Sequence, residues 1–202
     1  TDPAATPRPL FEDAPRQPQQ SIARAAAFAV APDLLVTCLR AVEQASAISA
    51  LNTSGQTGKV QVVATDADSG LALLKVTGIK LQPLALAPAY QTGRGVIAAF
   101  ARPALFQSSP ELELLNAEVL LVQGKPLART SVHPRLPGSP VVNDKGQVLA
   151  LVTATRDDLP SALPVITCDV LRAFSKDRFT PHAGRDTAPD DAVVELSITR
   201  VR

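Results

Sequence analysis

From Ser21 to Thr167 the chain is written in short runs of apolar and β-branched residues, broken by Gly, Pro, Asn or Asp at intervals of roughly ten residues. No other feature constrains the fold as much. Runs of this length are too short for helices that bury a face, and they match the strands of an all-β sandwich or barrel. Candidate strands fall at 25–31, 34–38, 46–51, 59–65 and 71–76, and a second group at 95–101, 112–122, 139–143, 147–154 and 163–167. Between the groups, GIKLQPLALAPAYQTGR carries Gly78, Pro83, Pro88 and Gly93 and reads as the bridge between two halves. Two six-stranded barrels joined there suit a chain of 202 residues. Asn143-Asp144-Lys145-Gly146 is a hairpin turn in which Gly146 is free to take a positive φ. In CDVLRAFSKDRF, Val170, Leu171 and Phe174 recur at helical spacing, which predicts a short closing helix with Asp169 placed to suit its dipole.

The ends read differently. Residues 1–20 hold five prolines and no hydrophobic period, the signature of an extended arm or linker. Residues 181–202 begin as a polar linker and finish in an alternating run from Val193 to Val201. That run is either an edge strand packed back onto the barrels or, the reading preferred here, the first strand of a truncated next domain. The expected organisation is thus an arm (1–20), a first barrel (21–88), a second barrel with its helix (89–180) and a terminal linker and strand (181–202).

Composition then removes whole classes of function. Lys and Arg number 20 against 19 Asp and Glu, so no global field recruits nucleic acid or an anionic membrane. One Tyr and no Trp leave little for base stacking. The apolar runs fall well short of the ~18 to 20 residues of a membrane span. No glycine-rich phosphate loop is present, and neither His133 nor His182 sits in a cluster at metal-ligand spacing, so no cofactor and no metal are expected. Cys38 and Cys168 are too far apart for a CxxC motif; they are either two buried thiols or the ends of one long-range disulfide.

Four segments resemble, in order, those of the trypsin-like serine peptidases, HtrA-type proteases included. PDLLVTCLRAV (32–42) is similar to the strand that delivers the catalytic histidine, and ATDADSGLALLKV (64–76) to the segment that carries the aspartate. PLALA (83–87) with GRGVIAAFARP (93–103) resembles the entry to the second barrel, and LPGSPVVNDKGQVLALVTA (136–154) the nucleophile loop with its following hairpin. The resemblance spans residues 21–175 and implies an all-β fold of two six-stranded antiparallel β-barrels of the chymotrypsin type with a short C-terminal helix.

The same resemblance implies lost chemistry. Arg40 stands where the base belongs, and a guanidinium stays protonated and cannot accept a serine proton. Gly70 stands where an acid would orient that base. The nucleophile loop is shortened to Pro137-Gly138-Ser139-Pro140; aligned from the right Pro137 falls on the serine, and with a later gap Ser139 does. A proline has no N–H to offer an oxyanion. The expectation is a pseudopeptidase, not an enzyme, serving as a protein- or peptide-binding or assembly module, without nucleic-acid binding or direct membrane insertion, and part of a larger polypeptide or assembly. Its inherited peptide edge would run through Val152, Thr153, Ala154 and Thr155. Arg40 would pair with Asp66 or Asp68, or anchor a ligand carboxylate. The alternative is a residual or repurposed hydrolase using Ser139 with His133. The family also implies a bacterial periplasmic or otherwise exported location, with which a Cys38–Cys168 bridge would agree.

Overall fold

The computed structural model describes residues 20–101, 109–132, 134, 136–153, 162–182 and 187–201. The first barrel contains β1 (Gln20–Ala31), β2 (Leu34–Cys38), β3 (Ala47–Leu51), β4 (Thr57–Asp66) and β5 (Leu71–Thr77). The second contains β6 (Gly93–Phe100), β7 (Leu112–Val122), β8 (Lys125–Thr130), β9 (Pro140–Val142), β10 (Val148–Val152) and β11 (Ala162–Thr167). Three short helices, α1 (Leu39–Val42), α2 (Cys168–Ser175) and α3 (Pro189–Ala192), precede the last strand, β12 (Val193–Val201).

Both barrels are closed, each from six antiparallel strands. Their orders are β1-β12-β3-β4-β5-β2 and β10-β11-β8-β7-β6-β9. The fold expected from the sequence is therefore present, with one correction to its organisation. The run 193–201 is not the start of a next domain and not an edge. It lies between β1 and β3, in register from Gln20 opposite Val201 to Phe28 opposite Val193 on one side and from Thr199 opposite Ala47 to Glu195 opposite Leu51 on the other. The first barrel is completed by the chain's last strand, because β1 and β3 do not pair with each other and would otherwise present two rows of unsatisfied backbone groups.

Burial explains why some strands alternate and others do not. On β4 the positions from Thr57 to Val60 alternate exposed and buried, as expected of a wall with one wet face. Ala25 to Val30 of β1, Leu71 to Leu74 of β5 and the whole of β10 are buried at every residue, because one face fills a barrel and the other faces the neighbouring barrel or α2. One hydrophobic cluster runs from the interior of the first barrel through Ala98, Phe100, Val148, Leu151, Leu171 and Phe174 into the second. A second cluster, around Ile97, Val119, Leu149 and Leu163, fills the second barrel.

The bridge anticipated between the halves is an extended seam. Leu84 N–H donates to Ala29 O at 2.9 Å, Val148 N–H to Ala85 O at 2.8 Å and Ala87 N–H to Val148 O at 2.9 Å, so it ties β1 to β10. On α2, Leu171 and Phe174 face the core as the spacing predicts, but Val170 is exposed. Strand β8 falls outside the expected strands, since KPLART has no apolar period and carries a proline.

Candidate functional site

The site is built where β2 ends and α1 begins, opposite the loop 136–140 of the second barrel. Cys38, still extended, is followed by Leu39, whose N–H donates to Gly70 O at 2.7 Å, and Cys38 itself lies opposite Leu71 in the β2–β5 register. The topology thus brings the segment that carries Arg40 against the one that carries Gly70. Gly70 takes φ +69°, a left-handed conformation that glycine adopts without strain at the end of the β4–β5 turn.

Arg40 is exposed and does not fill the cleft. Among the described residues it makes no ion pair with Asp66 or Asp68, which corrects the expected bridge. Asp66 is turned into its own tight turn instead, accepting the N–H of Asp68 at 3.1 Å and of Ser69 at 3.4 Å. The nearby Ser69 hydroxyl, and then these N–H groups, hold the Asp66 carboxyl below the usual carboxylate range.

The carbonyls of α1 are held from an unexpected quarter. Arg200, near the end of β12, donates from Nε to Glu43 O at 3.1 Å and from Nη2 to Ala41 O at 2.9 Å and Arg40 O at 3.3 Å. Ser46, just beyond α1, donates both its N–H and its hydroxyl to Thr199 O, at 2.8 and 2.9 Å. At the other end of the strand the Arg24 guanidinium of β1 forks onto the buried Glu195 carboxylate, its Nε at 2.7 Å from Oε1. The alternating pattern of 193–201 is the only sequence signal for these residues, and it reveals a strand without revealing its neighbours.

The loop side is closed and fully engaged. Ser139 is completely buried and its hydroxyl donates to Leu136 O at 3.0 Å, within its own loop. Gly138 N–H donates to Val152 O at 2.7 Å, and Val152 N–H to Ser139 O at 2.9 Å. Across the barrel junction Ala26 N–H donates to Pro137 O at 2.8 Å, while Thr37 Oγ1 donates to Ala26 O at 2.7 Å. Gly138 has φ +91°, and a Cβ there would collide with Ala26 O and lie 2.6 Å from Thr37 Oγ1. Only glycine fits at that position. The run of alanines at 25–27 serves the same close approach on the other side.

The expected peptide edge is occupied where it is described. Val152 spends both backbone groups on residues 138 and 139, and Thr153 directs its N–H and its hydroxyl to Pro164 O at 3.0 and 3.1 Å. Ala154, Thr155 and His133 lie outside the described residues. Nor is there a disulfide: Cys38 and Cys168 are free, buried thiols in two different core clusters. Burial pushes both thiols up, Cys168 to about 11 with help from the neighbouring Asp169 charge. Away from the cleft, a groove of about 810 Å³ on the second barrel is lined by Arg94, Glu118 and Arg129, aligned across β6, β7 and β8, with Asn116 and Ser131 beside them. Among the described residues no group of His, Cys, Asp or Glu has metal-binding geometry, and no helix is long and apolar enough to cross a membrane.

Residues 25–151 match the model of a family described as the trypsin-like peptidase domain. No curated protein matches the sequence. Among solved structures, the active form of the Rv3671c protease from M. tuberculosis is similar, with a TM-score of 0.62 at 20% identity over 79% of this chain and 76% of that one. An inactive serine-to-alanine mutant of the same protein from strain H37Rv gives a TM-score of 0.59 at 18% identity, over 76% and 82% of the two chains.

Proposed function

The chain belongs to the trypsin-like peptidase family, and from that premise we propose that it is a member that does not hydrolyse peptides and works as a protein- or peptide-binding or assembly module. The observation that carries this reading is the burial of Ser139 with its hydroxyl bonded to Leu136 O, while the position that resembles the family's base holds an exposed arginine, Arg40. Nucleophilic catalysis requires a hydroxyl within reach of a base and free N–H groups for the oxyanion. Here Gly138 N–H is bonded to Val152 O, and Pro137 has no N–H.

The binding surface that these losses leave is the α1 side of the cleft. Arg40 offers a permanent positive charge with forked donors, suited to a carboxylate on an extended peptide. Val152 and Thr153 bond within the protein, which argues against simple strand addition at that point and favours recognition through Arg40.

Two measurements test the reading. A fluorophosphonate probe is expected to leave the protein unlabelled; labelling that disappears in Ser139→Ala would establish the hydrolase alternative. Calorimetric titration with a library of extended peptides ending in free or amidated carboxyl groups is expected to select free carboxylates, with binding lost in Arg40→Ala. If no peptide binds, the role is structural.

A further inference from the structure

The C-terminal strand is placed to do more than complete a barrel. It lies beyond the stretch 25–151 that the family model matches, yet it occupies an interior position of the first barrel. Its final residues, while paired in the sheet, also reach α1. Thr199 O receives both donors of Ser46, and the Arg200 guanidinium spans three carbonyls of α1 and its exit, those of Arg40, Ala41 and Glu43. A helix of four residues makes few bonds of its own, here Glu43 N–H to Leu39 O at 3.1 Å. Its terminal carbonyls need outside partners, and the strand supplies them.

The strand is also strapped down along its approach. Thr187 Oγ1 donates to Pro83 O at 3.2 Å, Gln82 N–H to Asp191 O at 3.0 Å and Thr53 Oγ1 to Asp190 O at 3.0 Å. These contacts carry the segment from α2 back across the bridge to the first barrel.

We infer that β12 is a built-in strap whose seating between β1 and β3 sets the conformation of α1 through Arg200, so that the cleft residue Arg40 is presented only while the strand is in place. Loss or displacement of the strand's last residues frees the α1 carbonyls and loosens the turn from Leu39 to Ser46. A partner that draws on the strand, or cleavage ahead of it, acts on the cleft by this route. The inference does not depend on what the cleft binds.

Hydrogen exchange of the full chain tests it. In Arg200→Ala the amides of Glu43, Ala45 and Ser46 are expected to exchange about tenfold faster or more, the effect of losing one or two hydrogen bonds, while those of Ala50 and Phe28 keep their protection. Arg200→Lys, a single-point donor, is expected to fall between the two. The control is Arg24→Ala, which removes the ion pair at the opposite end of the strand; it is expected to lower stability without selectively speeding residues 43–46. Unchanged exchange at 43–46 in Arg200→Ala overturns the inference. So does an equal rise in both variants or across the whole barrel, since that outcome reports global stability alone.

Discussion

The loop 136–140 of the second barrel and the α1 turn of the first are held in opposite ways. On the second-barrel wall, residues 136–140 are locked: Ser139 is buried, Gly138 is in near-contact with Ala26 O, and backbone bonds run to both barrels. On the first-barrel wall, α1 is short, Arg40 is exposed, and the turn is held mainly by the Gly70 carbonyl and by Arg200 from the far end of the chain. The loop 136–140 packs between the two barrels, while the turn after β2 leaves the Arg40 side chain accessible. Substitutions in the loop 136–140 should therefore act on stability, and those at α1, under the proposed reading, on ligand recognition.

The largest effect is expected at Gly138→Ala. The added methyl meets a backbone carbonyl that cannot turn aside, so the cost is about 4 kcal/mol or more, or failure to fold. Gly70→Ala sharpens the contrast: it has a similar positive φ, but its nearest neighbour is Ile166 Cδ1 at 3.7 Å. Its cost is expected to be about 1 to 2 kcal/mol, from the left-handed conformation alone. Urea denaturation of the two variants measures the difference, and equal costs would break the comparison.

Thr37→Val comes next. It preserves shape but strips Ala26 O of its buried donor, for an expected loss of about 1 to 3 kcal/mol in the same assay. Ser139→Ala removes only the bond to Leu136 O and is expected to cost about 1 kcal/mol. A stability loss of this size in Ser139→Ala identifies the hydroxyl as a structural group.

A further effect, confined to high pH, is a dependence of stability on alkaline pH. Folding raises Cys168 from 9.0 to about 11, so the folded state holds a proton that the unfolded state releases. The sign follows directly: this contribution is complete below pH 9 and disappears as pH climbs through about 11. Stability is expected to decline across that window, and less steeply in Cys168→Ala. At neutral pH neither thiol should react with a disulfide reagent until the protein unfolds. Rapid native labelling of Cys38 would mean that α1 opens far more readily than its bonds suggest.

Much of this was legible in the residues. The spacing of apolar runs placed ten of the strands, and the order of four segments pointed to the paired barrels. Leu39, next to Arg40, bonds to Gly70 O, so the two segments meet at the end of β2. Other expectations failed for identifiable reasons. Asp66 turned away from Arg40 because a carboxylate followed by a tight turn finds N–H donors two and three residues on, closer than any arginine. The edge at Val152 is already taken, because the shortened loop brings residues 138 and 139 into bonding distance. The thiols remain unbridged because they belong to separate cores.

What the sequence determined by itself is the set of local elements and the chemical limits of named side chains: an arginine is never a base, and a proline never donates an N–H. Tertiary structure alone decided how those elements close. The run from Val193 to Val201 announces a strand, but its place between β1 and β3 depends on which backbone groups, some 170 residues apart, are left unpaired when the first barrel forms. Likewise a serine in LPGSPVV is polar in any context, and only the approach of Ala26 and Val152 buries it. Periodicity is a property of neighbours in sequence, whereas closure and burial belong to neighbours in space.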